Sequence, residues 1–239
     1  MTEQPTRTGA EAHPVALVTG ATGGMGREIV AELARTHRVV AVGRNAAALA
    51  EIAETTGAEA HRLDITDEAA LAGLVAGLDR LDVLVNAAAI SRAHPVATAP
   101  AEEWHEHFAV NVTAQAVLTR LALPLLRASQ GTVVFLGSGA STRPAPGNAI
   151  YTATKHALRA VADVLRIDEE PHRVRVVTVA PGQTDTEMLR GLVGDAPYEA
   201  SRYIRPASIA GTVRFVVDAP ADVQITDIAV RPRQEIARI

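Results

Sequence analysis

Five short runs in this 239-residue chain are apolar at nearly every position: VALVT (15 to 19), RVVAVG (38 to 43), DVLVNA (82 to 87), TVVFLG (132 to 137) and VRVVTVA (174 to 180). A strand with one wet face alternates apolar and polar residues, because successive side chains point to opposite faces. Runs without that alternation need cover on both faces, the condition inside a parallel sheet wrapped by helices. EAHRLD (59 to 64) and ITDIAV (225 to 230) complete the set of strands. Segments of helical period lie between them, at 24 to 36, 46 to 55, 67 to 76, 101 to 128, 151 to 169 and 206 to 217. Strand and helix alternate throughout, which predicts a doubly wound α/β fold. One domain is expected over 14 to 239, preceded by a flexible, polar lead-in at 1 to 13; the interior stretch 187 to 205 is weakly patterned.

Composition narrows the function. Hydrophobic residues make up 48% and charged residues 21%, so one large core of small, branched side chains is available. A formal net charge of −4, with no run of Lys and Arg, gives no reason to expect a nucleic-acid partner. The absence of cysteine removes disulfides, thiolate metal sites and thiol nucleophiles. No apolar stretch is read as a membrane span and the N-terminus lacks a secretory core, so a cytoplasmic location is expected.

The first strand runs directly into Thr19-Gly20-Ala21-Thr22-Gly23-Gly24-Met25-Gly26, and a helix follows at once. Glycines there permit a tight turn and let backbone N–H groups approach a pyrophosphate at the positive end of the helix. Asp64, in Leu63-Asp64-Ile65, ends the third strand on the same sheet edge, where a carboxylate could meet an adenine amino group or simply serve a turn. The second strand ends in Val42-Gly43-Arg44-Asn45, with no acid where NAD-binding folds often carry one. Arg44, helped by Thr22 and Asn45, could instead pair with a 2′-phosphate.

Tyr151 and Lys155 are four residues apart and share a helix face. An ammonium close to a phenol favours the phenolate, so the lysine is expected to draw the tyrosine pKa toward neutrality. Ser138 lies just past a strand, at the carboxyl edge where such sheets bind ligands, and could donate to a substrate oxygen. Asn111 sits in an apolar helix, where its amide needs partners and could order backbone or water near the lysine.

These features together, TGATGGMG, LVNAAAI, Asn111, Ser138, YTATK and Pro181-Gly182-Gln183-Thr184, resemble the short-chain dehydrogenase/reductase family in order and separation across nearly the whole chain. The resemblance implies a Rossmann-type sheet of seven strands with helices on both faces, a nicotinamide cofactor, and a catalytic group mapping to Asn111, Ser138, Tyr151 and Lys155. It implies cofactor contacts at Gly20, Thr22, Gly24, Met25, Gly26, Arg44, Asn45, Asp64, Ile65, Asn86, Tyr151, Lys155, Pro181, Gly182, Thr184 and Thr186. Thr184 takes the carboxamide and Lys155 the ribose hydroxyls. Two departures stand out: Asn86-Ala87-Ala88-Ala89 replaces the usual Asn-Asn-Ala-Gly, and Gly23 stands where NADP-preferring relatives often carry Arg or Lys. NADP(H) is expected in preference to NAD(H), through Arg44.

Three rival readings fit the residues less well. A serine hydrolase needs Gly-x-Ser-x-Gly, whereas Ser138 has glycines as direct neighbours. A metal enzyme has His105 and His107 to draw on, but they lie two apart on a helix, and surface or capping roles suit them better. A cofactor-sensing protein without catalysis should have lost Tyr151 or Lys155, and both are present. The substrate is a small carbonyl compound or alcohol. Met188, Leu189, Leu192, Val193 and Tyr198 suggest an apolar wall over it, and Arg92 and Arg143 are candidates to meet an anionic substrate. Apolar residues on more than one face of 101 to 128 and 151 to 169, such as Val117, Leu121 and Val164, fit a homodimer or homotetramer interface.

Overall fold

Each fully apolar run becomes a strand whose side chains enter two cores in turn. Ala16 and Val18 of the first strand face one hydrophobic layer, while Val15 and Leu17 face the other. The computed structural model describes residues 13 to 234, so the lead-in falls outside the described residues except for His13. Strands β1 (Val15–Thr19), β2 (Arg38–Gly43), β3 (Glu59–Arg62), β4 (Val83–Asn86), β5 (Thr132–Leu136), β6 (Arg175–Pro181) and β7 (Asp227–Val230) form one seven-stranded sheet, order β3-β2-β1-β4-β5-β6-β7. Every pairing is parallel. The chain winds outward in both directions from β1 and β4, which opens a crevice at their carboxyl ends.

Helices α1 (Gly24–Leu33), α2 (Ala46–Thr56) and α8 (Pro206–Val217) cover one face, through Ile29, Ile52 and Val213 among others. On the other lie α3 (Glu68–Ala76), α5 (Ala114–Ser129) and α6 (Ala149–Asp168), through Leu71, Leu118 and Leu158. The fold is therefore the Rossmann-like doubly wound sheet that the alternation of runs implies.

The local details depart from the sequence expectation in three places. The third strand stops at Arg62 and is largely exposed, because it forms an edge. The expected long helix at 101 to 128 is divided into α4 (Ala101–Phe108) and α5 by a π-helical turn, Ala109–Thr113, which holds Asn111. The stretch Ala101–Ser129 is also long and apolar enough to cross a membrane, contrary to the reading of the sequence. Here it is a core layer: Ala114, Leu118, Ala122 and Leu126 are buried against the sheet, and its charged residues, such as Arg120, face outward. Finally, 187 to 205 contains helix α7 (Glu187–Val193) and a single 3₁₀ turn, Ala200–Arg202.

Candidate active site

The glycine loop joins β1 to α1 at the crevice. Gly20 has φ +65°, and a Cβ there would stand 2.7 Å from the Ala88 backbone. A Cβ on Gly26 would stand 2.0 Å from the Gly20 carbonyl oxygen, so the loop closes only with glycine at both positions. The N-terminus of α1 has no side-chain cap and no acid in its first turn. Its N–H groups are thus open to an anion at the positive end of the helix.

In front of this loop lies a cavity of about 390 Å³, lined by Gly20, Thr22, Gly24, Met25, Gly26, Arg44, Asn45, Asp64, Ile65 and the Ala87–Ile90 backbone segment. A second cavity, of about 370 Å³, is lined by Ser138, Tyr151, Pro181, Gly182, Thr184 and Thr186. Met25, Thr186 and Met188 line both, so the two form one elongated cleft. A glycine loop with an uncapped helix at one end and a hydroxyl cluster at the other fits a dinucleotide laid along the crevice. Thr186 joins the ends: it caps α7, and its Cγ2 would lie 3.0 Å from a Cβ on Gly24.

Ser138 follows β5 in extended backbone and caps the turn Gly139–Ser141. Its Oγ accepts from Ala140 N at 3.1 Å, which leaves the hydroxyl hydrogen available to donate into the cavity. Tyr151 lies in the first turn of α6. One turn later Lys155, buried, donates from Nζ to the Leu136 carbonyl at 2.7 Å and stands 5.6 Å from the Tyr151 ring centre. Burial lowers the lysine from its usual 10.5 to about 8. The expected lowering of the tyrosine is reversed in this cleft: burial pushes the phenol up, with the Ser138 hydroxyl beside it acting in the opposite direction. The ammonium is bound to a strand carbonyl instead of the phenol, and desolvation wins.

Other sequence-selected residues stand behind the cleft wall. Asn111 Oδ1 accepts from Ile90 N at 2.8 Å, and its Nδ2 donates to the Ile90 carbonyl at 2.9 Å and to Thr154 Oγ1 at 3.2 Å. It clamps the loop after β4 to the helix that carries Lys155. Asn86 is turned away from the cleft, donating to Thr119 Oγ1 at 3.0 Å. The Ala87 and Ala88 amides both point to Thr19 Oγ1, at 3.2 and 3.3 Å, so this hydroxyl holds the departed NAAA segment against β1. Thr184 uses its hydroxyl on the Gly182 carbonyl, and Asn45 caps α2 by accepting from Ala48 N. Asp64 forms a turn with Thr66 and lies 3.8 Å from Arg44, a cation that is 68% exposed.

Three further expectations are corrected. His107 is fully buried: its Nε2 accepts from Arg92 N and its Nδ1 donates to the Glu103 carbonyl, so it is a loop anchor and has no surface role. The Arg92 side chain is taken up by Glu103 and Glu106 and does not reach the cleft. Tyr198 hydrogen-bonds Asp185 and stacks on Tyr203, away from the wall that Met188, Leu189, Leu192 and Val193 do form. Residues not singled out in the sequence also line the cleft, notably Asn148 and Arg231. No local pattern marks them, since each reaches the site from a loop whose place is set by the sheet order. Among the described residues no cluster could hold a metal ion.

Comparison with known proteins agrees with this geometry. The model of the short chain dehydrogenases matches residues 14–196. The serine 3-dehydrogenase of Rhizobium radiobacter is 31% identical over 230 residues, covering 90% of this chain and 92% of the relative. A closed serine dehydrogenase complexed with NADP+ superposes with a TM-score of 0.82 at 27% identity, covering 90% of this chain and 94% of the other. The 3-ketoacyl-(acyl-carrier-protein) reductase of Brucella melitensis, complexed with NADH, gives 0.82 at 26% identity over 93% of this chain and 98% of the other. With a matching family model and relatives along its length, the chain belongs to the short-chain dehydrogenase family and is an NAD(P)-dependent oxidoreductase.

Proposed function

We propose that the protein transfers a hydride between NADP(H) and a carbonyl or secondary alcohol on a small molecule, with Tyr151 as general acid or base. The observation that carries this reading is that Ser138 and Tyr151 line the same cavity, continuous with the glycine-loop cleft. The nicotinamide supplies or accepts the hydride when bound. Ser138 donates a hydrogen bond to the substrate oxygen and holds it beside the phenol. Tyr151 passes its proton to that oxygen during reduction and takes it back during oxidation. Lys155, fixed by Leu136, is a positioning cation whose proton is available near pH 8, and Asn111 keeps its helix in register with the Ile90 loop. The dinucleotide is held by Gly20, Thr22, Gly24, Met25 and Gly26 at the pyrophosphate, by Asp64 and Ile65 at the adenine, and by Pro181, Gly182, Thr184 and Thr186 at the nicotinamide. Arg44 faces the ribose end with no acid on its own turn, which supports NADP(H). The exposed apolar residues Val164 (58%) and Ile167 (71%) on α6 support a homo-oligomer.

The test is reduction of a panel of ketones and aldehydes, followed by NADPH absorbance. Cofactor-dependent turnover of at least one compound is expected. Binding of cofactor with no turnover across the panel would favour the sensor reading.

A further inference from the structure

We propose that the substrate carries an anionic group, a carboxylate or a phosphate-like group, gripped by Arg231 and Arg143 beside the reactive carbonyl. The inference rests on the oxidoreductase reading for the carbonyl, but the anion site itself is argued from charge and placement. Among the described residues, the cavity that holds Ser138 and Tyr151 is lined by two arginines, Arg143 and Arg231, and by no Asp or Glu. The chain as a whole has 27 acids against 23 Lys and Arg, so this local excess of positive charge runs against the overall balance. Among the described residues neither Arg143 nor Arg231 makes an ion pair, whereas Arg92 and Arg190, flanking the same region, are each paired with a carboxylate.

The placement of Arg231 is specific. It follows Val230, the end of β7, which pairs with Pro181 of β6 and accepts from Gly182 N at 2.7 Å. Its stem therefore runs over Gly182, with Cδ 3.6 Å from where a Cβ would stand. Its guanidinium reaches Gly139, with Nη1 2.5 Å from the position of a Cβ on that residue. Gly139 directly follows Ser138, about 3.8 Å along the chain, so the cation lies one residue from the hydroxyl that binds the substrate oxygen. Arg143 comes from the other end of the same turn, its N donating to the Gly139 carbonyl at 3.2 Å. Two glycines thus make room for a cation that would otherwise be displaced. The same cavity is also lined by Met188, Leu189, Leu192 and Val193, an apolar stretch that suits a short carbon skeleton between the carbonyl and the anion.

The experiment titrates pairs of ketones into the chain loaded with NADP+, a complex in which a ketone cannot be reduced, and reads affinity by calorimetry. One pair is 4-oxopentanoate and its methyl ester; the other is 2-oxopropylphosphonate and its dimethyl ester. At least one anion should bind about tenfold or more tightly than its ester, the value of one charge-assisted contact, and the pair that discriminates identifies the anion class. Arg231→Gln and Arg143→Gln should each reduce that ratio severalfold. Gly139→Ala should do the same while leaving both charges in place, because its methyl group displaces the Arg231 guanidinium. Equal affinities within both pairs would overturn the proposal, as would a preference that survives in both arginine variants. Turnover is not read here, so a chain that reduces nothing yet prefers the anion loses the oxidoreductase reading and keeps the anion site.

Discussion

Lys155 Nζ donates a 2.7 Å hydrogen bond to the carbonyl oxygen of Leu136, the last residue of β5. Ser138 comes two residues after that carbonyl, and Tyr151 one helical turn before that lysine. A single bond therefore sets the spacing between the two hydroxyls that face the cleft. It also places an ammonium where water does not reach, with its proton affinity lowered to about 8.

Lys155 is the only lysine in the chain. Selective labelling of lysine Cε should give one titrating side-chain signal in an NMR titration. Its midpoint should fall near 8 instead of the ordinary 10.5. A midpoint above 10 would mean that the group is solvated.

The same shift makes stability depend on pH. Below about 8 the lysine is protonated in both states, and the native state bears a constant burial penalty. Between about 8 and 10.5 the unfolded chain still binds a proton that the native chain has lost, so stability rises with pH across that window. The rise should be roughly 3 kcal/mol relative to Lys155→Met, which lacks the titrating group. Denaturant unfolding from pH 7 to 10.5 measures it, and parallel curves for the two proteins would contradict it.

Tyr151→Phe keeps the ring and removes the transferable proton. Cofactor binding should survive while turnover falls by roughly 10²–10⁴-fold or more. Steady-state kinetics beside a cofactor titration checks this, and near-normal turnover would remove Tyr151 from the chemistry.

Arg44 lines the glycine-loop end of the cleft and is mostly exposed, and among the described residues its carboxylate neighbour is Asp64, at 3.8 Å. A contact to a 2′-phosphate there should favour NADPH over NADH by about tenfold in kcat/KM. Arg44→Asp should reverse the preference. A ratio that does not change would show that this arginine is only a solvated loop residue.

Gly26→Ala brings a methyl group to 2.0 Å from the Gly20 carbonyl oxygen, against backbone that cannot rotate away. The loop must open, costing roughly 1–3 kcal/mol of stability and most of the affinity for dinucleotide. Thermal unfolding with and without NADPH separates the two effects. Gly57→Ala, at φ +72° with nothing near its Cβ, should lose stability without changing cofactor affinity.

The sheet was legible because its information is local. A run such as VALVT is apolar at every position only when both faces are covered, and the cores around Val15, Leu17, Ala16 and Val18 bear that out. The glycine loop and the Tyr151–Lys155 pair were legible for a related reason: turn closure and a shared helix face depend on residues within one or two turns of each other. What lay beyond the sequence was decided by side-chain direction and by neighbours distant along the chain. Asn86 turns to Thr119, His107 is enclosed by the Arg92 loop, and the π turn that places Asn111 against Ile90 interrupts a stretch whose pattern is continuous helix. Tyr151 has its lysine one turn away, yet its proton affinity rises, because burial sums over every surrounding element and a strand carbonyl holds the ammonium. Arg231 reaches Gly139 only because β7 is laid beside β6 and β6 beside β5, a strand order that two cores and a parallel sheet impose and no short stretch of residues encodes.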